Sequence, residues 1–215
     1  MIAKNINKIK REIKAEVLLL AVTKGRNPEQ IKEAVQNGIS AIGENRVQEL
    51  IKKLPQLPKN LRIDFIGHLQ TNKVKNIVKH CFLIHSVDSF QLAQEINKQA
   101  KKILKVQNIL LEVNISQEKT KFGFKKQELI NLFPKLLALK NIKITGLMTI
   151  APYFENKEDS RPVFKQLKQL RDLLETNFKI KLPELSMGMS NDYQIAIQEG
   201  ATIIRLGRII FEKLV

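Results

Sequence analysis

One pattern repeats from end to end of the 215-residue chain: a short apolar run, a polar punctuation, then apolar residues at helical spacing. A run of this kind followed by a 3.6-period segment reads as a βα unit. Eight such runs stand at 17–22, 39–42, 62–66, 82–86, 108–114, 143–148, 184–187 and 202–206. Helices are expected to begin near Pro28, Asn45, Thr71, Ser89, Lys126, Ser160, Asn191 and Ile209, and Ile2, Ile6, Ile9 and Ile13 mark a further amphipathic helix over 1–14. Asn27 before Pro28 is an N-cap followed by proline at the first helical position, and Gly38 and Gly200 stand where a left-handed residue closes a helix. Strict strand–helix alternation permits an open doubly wound sheet or a closed barrel, and eight units favour closure. The expected fold is therefore α/β, a single (β/α)8 TIM barrel over residues 1–215 with an extra N-terminal helix.

Net charge bears on the partners such a barrel would take. Lys and Arg total 37 against 21 Asp and Glu, a net charge of +16, which favours anionic partners. The lysines are spread along the chain, as at Lys4, Lys8, Lys10, Lys14, Lys52, Lys53, Lys101 and Lys102, which reads as solvated helix faces rather than a nucleic-acid surface. With no Trp and two Tyr, stacking platforms for single strands are poorly supplied. Cys81 alone excludes an internal disulfide and a cysteine-based zinc site, and a cytoplasmic location is expected. No stretch reaches the roughly 18 apolar residues of a membrane span, and the 1–14 segment lacks the apolar core of a signal peptide.

Reactive groups of such a barrel gather where its strands end. The residues past the runs are polar: Thr23-Lys24-Gly25, Gly43-Glu44-Asn45, Gly67-His68, Ser86-Val87-Asp88, then Glu112 and Asn114, Thr149, Ser186 to Ser190, and Arg205 to Arg208. Lys24 directly follows an apolar run, so its amine is expected at the barrel mouth, where partial desolvation or nearby cations favour the neutral, nucleophilic form. Taken alone, it reads first as an ordinary lysine at a strand end. The loops after strands seven and eight are where barrels commonly bind phosphate; Ser186 and Ser190 offer hydroxyls there, and Gly188 and Gly207 allow close backbone approach. Ser190 as a helix cap and Gly207 as a simple turn are the competing readings. Both loops together with Lys24 suit a ligand carrying an aldehyde and a phosphate.

These blocks carry a resemblance. Leu20-Ala21-Val22-Thr23-Lys24, Gly43-Glu44-Asn45-Arg46-Val47-Gln48-Glu49, Phe65 to Lys73, Gly146-Leu147-Met148, Leu185 to Ser190 and Arg205-Leu206-Gly207 resemble, in order and along nearly the whole chain, the pyridoxal phosphate homeostasis protein family. The resemblance implies a barrel like the N-terminal domain of alanine racemase, the type III fold of proteins that use pyridoxal 5'-phosphate (PLP). It implies PLP bound as a Schiff base on Lys24, with Ser186 and the Gly207 segment at the phosphate and Arg205 at the pyridine nitrogen. Asn45 would line the ring, and Ser190 would add a phosphate contact or only cap its helix. Two positions depart from the family pattern: Arg208 replaces a small hydroxyl residue, and Glu212 replaces Gly. Arg208 would replace a hydroxyl contact with a charged one, or point away.

The implied role is to hold, buffer or deliver PLP, with PLP-dependent apo-enzymes as partners, no membrane or nucleic acid, and a monomeric state. An amino-acid racemase is the enzyme alternative; it needs a second base from a β-domain, and nothing after Val215 is expected to supply one. A basic nucleic-acid-binding module is the third reading, and rests on charge alone. His68, His80 and His85 lack metal-ligand spacing and are assigned to surface or packing. The 118–123 segment reads as a mobile loop whose lysines could attract a phosphorylated ligand; Cys81 reads as buried, and Met148, Met187 and Met189 as packing of the barrel top.

Overall fold

The computed structural model describes residues 1–118 and 120–212. Lys119, one of the lysines of the 118–123 loop, lies outside the described residues, as do residues 213–215 of the expected domain. Eight parallel strands close into a barrel in chain order: β1 (Leu18–Val22), β2 (Ala41–Glu44), β3 (Arg62–Phe65), β4 (Leu83–Val87), β5 (Gln107–Glu112), β6 (Ile142–Met148), β7 (Glu184–Ser186) and β8 (Ile203–Leu206). The register that closes it pairs Leu18 with Ile203 and Leu20 with Arg205. Among the described residues the helices are α1 (Ile2–Glu12), α2 (Pro28–Gln36), α3 (Val47–Lys53), α4 (Val74–His80), α5 (Phe90–Lys102), α6 (Lys126–Leu137), α7 (Arg161–Phe178), α8 (Tyr193–Gln198) and α9 (Arg208–Phe211). None of them is long and apolar enough to cross a membrane.

Local chemistry explains several boundaries. Asn27 caps α2 by accepting the Gln30 N–H while the Gln30 side chain accepts the Asn27 N–H, a reciprocal box ahead of Pro28. α1 buries Ile2, Ile6 and Ile9 on one face. The core has two layers. Leu20, Ala41, Ile66, Leu83, Leu110, Met148 and Ile203 fill the barrel, while a larger set packs between sheet and helices. Alternation along a strand then turns Asp64, His85 and Arg205 inward, two residues from Ile66, Leu83 and Ile203.

Three expectations need correction. β2 lies two residues later than its apolar run, so Gly43 and Glu44 belong to the strand and Glu44 is fully buried rather than on the rim. α8 begins at Tyr193 with Asp192 at the cap position, so Ser190 does not cap it. Met189 is 38% exposed, whereas Met148 and Met187 are buried as expected.

Close backbone packing shapes the mouth. A Cβ on Gly67, just past β3, would stand 2.1 Å from the carbonyl oxygen of Asn45 just past β2. Gly67→Ala is therefore expected to lower stability by about 1–3 kcal/mol in urea unfolding, because backbone must move to admit the methyl group. An unchanged midpoint would mean the two loops are not packed this tightly.

Candidate functional site

A cavity of about 480 Å³ opens at the C-terminal ends of the strands, within the size range of small-molecule sites. Lys24, Asn45, Ser190, Arg205, Gly207 and Arg208 all lie in its wall. Of the residues singled out in the sequence for the phosphate, Ser186 and Gly188 are missing from that wall, and the Ser186 side chain is fully buried. A second cavity, of about 460 Å³ around Lys10, Lys14 and Gly38, lies at the opposite end of the barrel.

Lys24 is exposed, and the backbone on both sides of it is fixed. Lys53 Nζ, from the end of α3, donates to the Thr23 carbonyl at 2.8 Å and to the Glu44 and Glu49 carboxylates at 2.7 Å each. Thr23 Oγ1 donates to Glu44 at 2.6 Å, and the Gly25 N–H donates to Glu49 at 2.6 Å. Gly25 has φ +70°, the left-handed conformation that this turn requires. Thr23 and Gly25 are thus anchored to one ion network while the Lys24 side chain between them reaches into the cavity. Burial pushes the Glu44 carboxyl up against the opposing pull of Lys53 and Thr23. Lys53, expected on a solvated helix face, is only 7% exposed.

Arg205 is 4% exposed inside the barrel, where burial lowers its guanidinium to about 10 and so leaves it cationic at neutral pH. It donates to the Thr149 carbonyl at 2.8 Å and to Ser186 Oγ at 2.6 Å. The Asp64 carboxylate can only accept, so the neutral His85 ring keeps its proton on Nε2, and its Nδ1 accepts the Ser186 hydroxyl proton across 2.9 Å. His85 Nε2 donates to Asp64 at 3.1 Å, and Arg62 donates to both Asp64 oxygens at 3.0 and 2.8 Å. Burial holds the His85 imidazole below its ordinary value, consistent with this neutral tautomer.

The cavity favours anions. Lys24, Arg26, Arg205 and Arg208 line it against Asp192 and Glu212. Asn45 Oδ1 is buried there without a hydrogen-bond partner among the described residues, a polar atom available to a ligand. On the other side of the mouth, His68 pairs with Asp88 at 3.0 Å and stacks on Phe122 at 3.7 Å between ring centroids, while Lys121 pairs with Glu118 at 2.6 Å. Lys121 is therefore not in the cavity wall. Cys81 is buried, and the described residues hold no cluster of metal-ligating side chains.

Residues 1–213 match the family described as alanine racemase, N-terminal domain. A pyridoxal phosphate homeostasis protein of Aquifex aeolicus is 50% identical over 195 residues, covering 90% of this chain and 85% of the relative. The chain belongs to the pyridoxal phosphate homeostasis protein family. Within that family's fold, the PipY protein of Synechococcus elongatus, solved with PLP bound, superposes with a TM-score of 0.91 at 35% identity, over 98% of this chain and 100% of that one. An alanine racemase of Clostridium difficile shares the fold at TM-score 0.81 and 18% identity, with this chain covering 56% of it.

Reading the sequence alone did not single out Lys53, Glu49, Asp64, His85 or Arg62 for the site. Glu49 and Lys53 stand four apart on α3, a spacing that signals a pair but not its burial. Asp64 and His85 are joined only by the pairing of β3 with β4.

Lys53→Met should destabilise the protein by roughly 3–5 kcal/mol, since it leaves Glu44 buried without its cation, and Glu44→Gln in the same chain should restore much of that loss. Urea unfolding of the single and double variants measures both; a mild single variant would show that the pair is not held in a dry site. Glu112, 8% exposed at the end of β5, is pushed up to about 7 by burial and by Asp88, with Arg205 opposing. Its folded value exceeds the unfolded one of about 4.3, so the stabilising proton is fully bound below that pH and lost as pH rises towards 7. Glu112→Gln is thus expected to gain on the parent through this window and to plateau above it, by roughly 3–4 kcal/mol. A difference independent of pH would refute the buried, protonated carboxyl.

Proposed function

We propose that this chain holds and hands on PLP, bound covalently through Lys24, and does so without turnover of its own. The observation that carries the reading is the convergence of an exposed lysine amine with Arg26, Arg205 and Arg208 in one cavity at the C-terminal face of the barrel. Its fit to the cofactor rests on that amine for an aldehyde, on guanidinium groups for a phosphate, and on the unpartnered Asn45 oxygen for a polar ring substituent. The bound PLP of the PipY protein and the name shared by the relatives support it. When bound, the cofactor supplies an aldehyde and an electron-accepting ring.

Lys24 Nζ adds to the aldehyde carbon, and loss of one water leaves a carbon–nitrogen double bond. The Thr23 and Gly25 anchors hold the lysine backbone still, so the amine approaches from a fixed direction. Arg205 is the residue assigned to the ring nitrogen. A permanent cation there disfavours protonation of that nitrogen and weakens the ring as an electron sink, which fits a carrier better than a racemase. Ser186 acts one step behind: it fixes the Arg205 guanidinium and leaves the phosphate to the Gly207 segment, Ser190 and Arg208. Handing PLP to apo-enzymes in the cytoplasm, as a single-domain monomer, completes the proposal.

Protein incubated with PLP and reduced with borohydride should carry one phosphopyridoxyl mass on the Lys24 peptide, and Lys24→Ala should lose it. The loaded protein should turn over amino acids far more slowly than about 1 per second, the low end of typical enzymes. A label on another lysine, or racemisation at enzymatic rates that disappears in Lys24→Ala, would overturn the assignment.

A further inference from the structure

Arg26 and Glu212 face each other across the rim of the cavity that holds Lys24 and Arg208. Arg26 Nη2 donates to Glu212 Oε1, which ties the turn after β1 to the residue that ends α9. The guanidinium lies over the Phe211 ring at 5.4 Å, and its Nε is buried with no partner among the described residues. Glu212 sits on a fixed backbone: its N–H donates to the Arg208 carbonyl, and Asn5 Nδ2 donates to the carbonyls of Glu212 and Ile210 at 3.2 and 3.1 Å. Arg208 makes no side-chain hydrogen bond or ion pair among the described residues, although it stands four residues before Glu212. One of the two arginines on this rim is therefore engaged and the other is not.

Charge on those side chains matters because α9 has four residues, so little helix dipole stands behind the Gly207 segment. We propose that Glu212 is an internal counter-anion that occupies Arg26 when no phosphate is present and yields it to the phosphate of an arriving ligand. Glu212 thereby sets how tightly the phosphate end is held. The inference rests on the proposal that PLP binds at Lys24, and assigns a further residue to its retention. The Arg26 and Glu212 side chains are 22% and 48% exposed, and an ion pair this open to water is weak. A phosphate ester brings about −1.5 to −2 charges and three acceptor oxygens against a single carboxylate, and an arginine fork matches it in geometry. The unpaired Arg26 Nε gives that fork a second donor without breaking another bond. Binding thus exchanges one ion pair for another, which lowers net affinity and leaves an anion beside the phosphate to speed its departure.

Dissociation constants and release rates for PLP and for pyridoxal, which lacks the phosphate, test this in the full chain. Glu212→Gln is expected to tighten PLP about 3- to 10-fold and slow its release, while pyridoxal changes less than about twofold. In the Arg26→Gln background the same substitution should have no effect on either ligand, because the group being contested is gone. Equal tightening of both ligands, parity of Glu212→Gln with the parent, or the same gain in both backgrounds would each overturn the counter-anion. Borohydride labelling of the parent separates the two readings. A parent labelled at Lys24 together with a null result for Glu212→Gln sinks the counter-anion alone, whereas a parent without that label sinks both.

Discussion

A guanidinium with almost no contact with water sits in the middle of this barrel, and most of the polar interior exists to make that tolerable. An unpaired cation there would cost several kcal/mol, more than one hydrogen bond returns. Arg205 is satisfied by a carbonyl and by Ser186, Ser186 by His85, His85 by Asp64, and Asp64 by Arg62. Each member of that row is held by the next, so the orientation of the Arg205 guanidinium is fixed from below. The guanidinium in the cavity wall is therefore held in one orientation.

The lysine is handled in the opposite way. Its side chain is exposed and its backbone is immobilised, through ions that never reach the cavity. The exposed lysine and the buried arginine are thus supported by separate networks, one behind β1 and β2, the other running through β3, β4, β7 and β8. Removing one support leaves the other standing, so defects in positioning the amine and defects in positioning the cation are separable.

Much of this architecture is legible in the amino-acid sequence, because the signals that specify it are local. Alternating periods mark eight βα units, Asn27-Pro28 marks a helix start, and Gly38 and Gly200 adopt φ values of +85° and +97° as their positions after helices require. Of the polar residues after the runs, those following the first, second, seventh and eighth reach the cavity wall, as Lys24, Asn45, Ser190, Arg205 and Arg208, while His68, Asp88, Glu112 and Asn114 do not. What sequence could not supply was partnership across strands. Lys53 looks like any lysine at a helix end until the barrel sets Glu44 beside it, and His85 inside an apolar strand has no visible partner until β3 lies next to β4. Ser190, Asn191 and Asp192 are all good cap residues, so composition alone does not choose among them; the chain places Asp192 there, and its carboxylate accepts the Met189 N–H. β2 is displaced by two residues because its apolar run begins early, at Ile39, which packs on the helix side of the sheet.

The pairing of β1 with β8 brings together segments from opposite ends of the chain. Of all contacts in the sheet it spans the longest loop, and its closure entropy is repaid last. Lys24 follows β1, while Arg205 and Gly207 belong to β8 and its end, so the cavity straddles that seam. Without the pairing of β1 with β8, the two sides of the cavity are not brought together. Any ligand that bridges the two sides acts as a clasp on the least local contact of the fold, and its binding energy adds directly to the stability of the closed form.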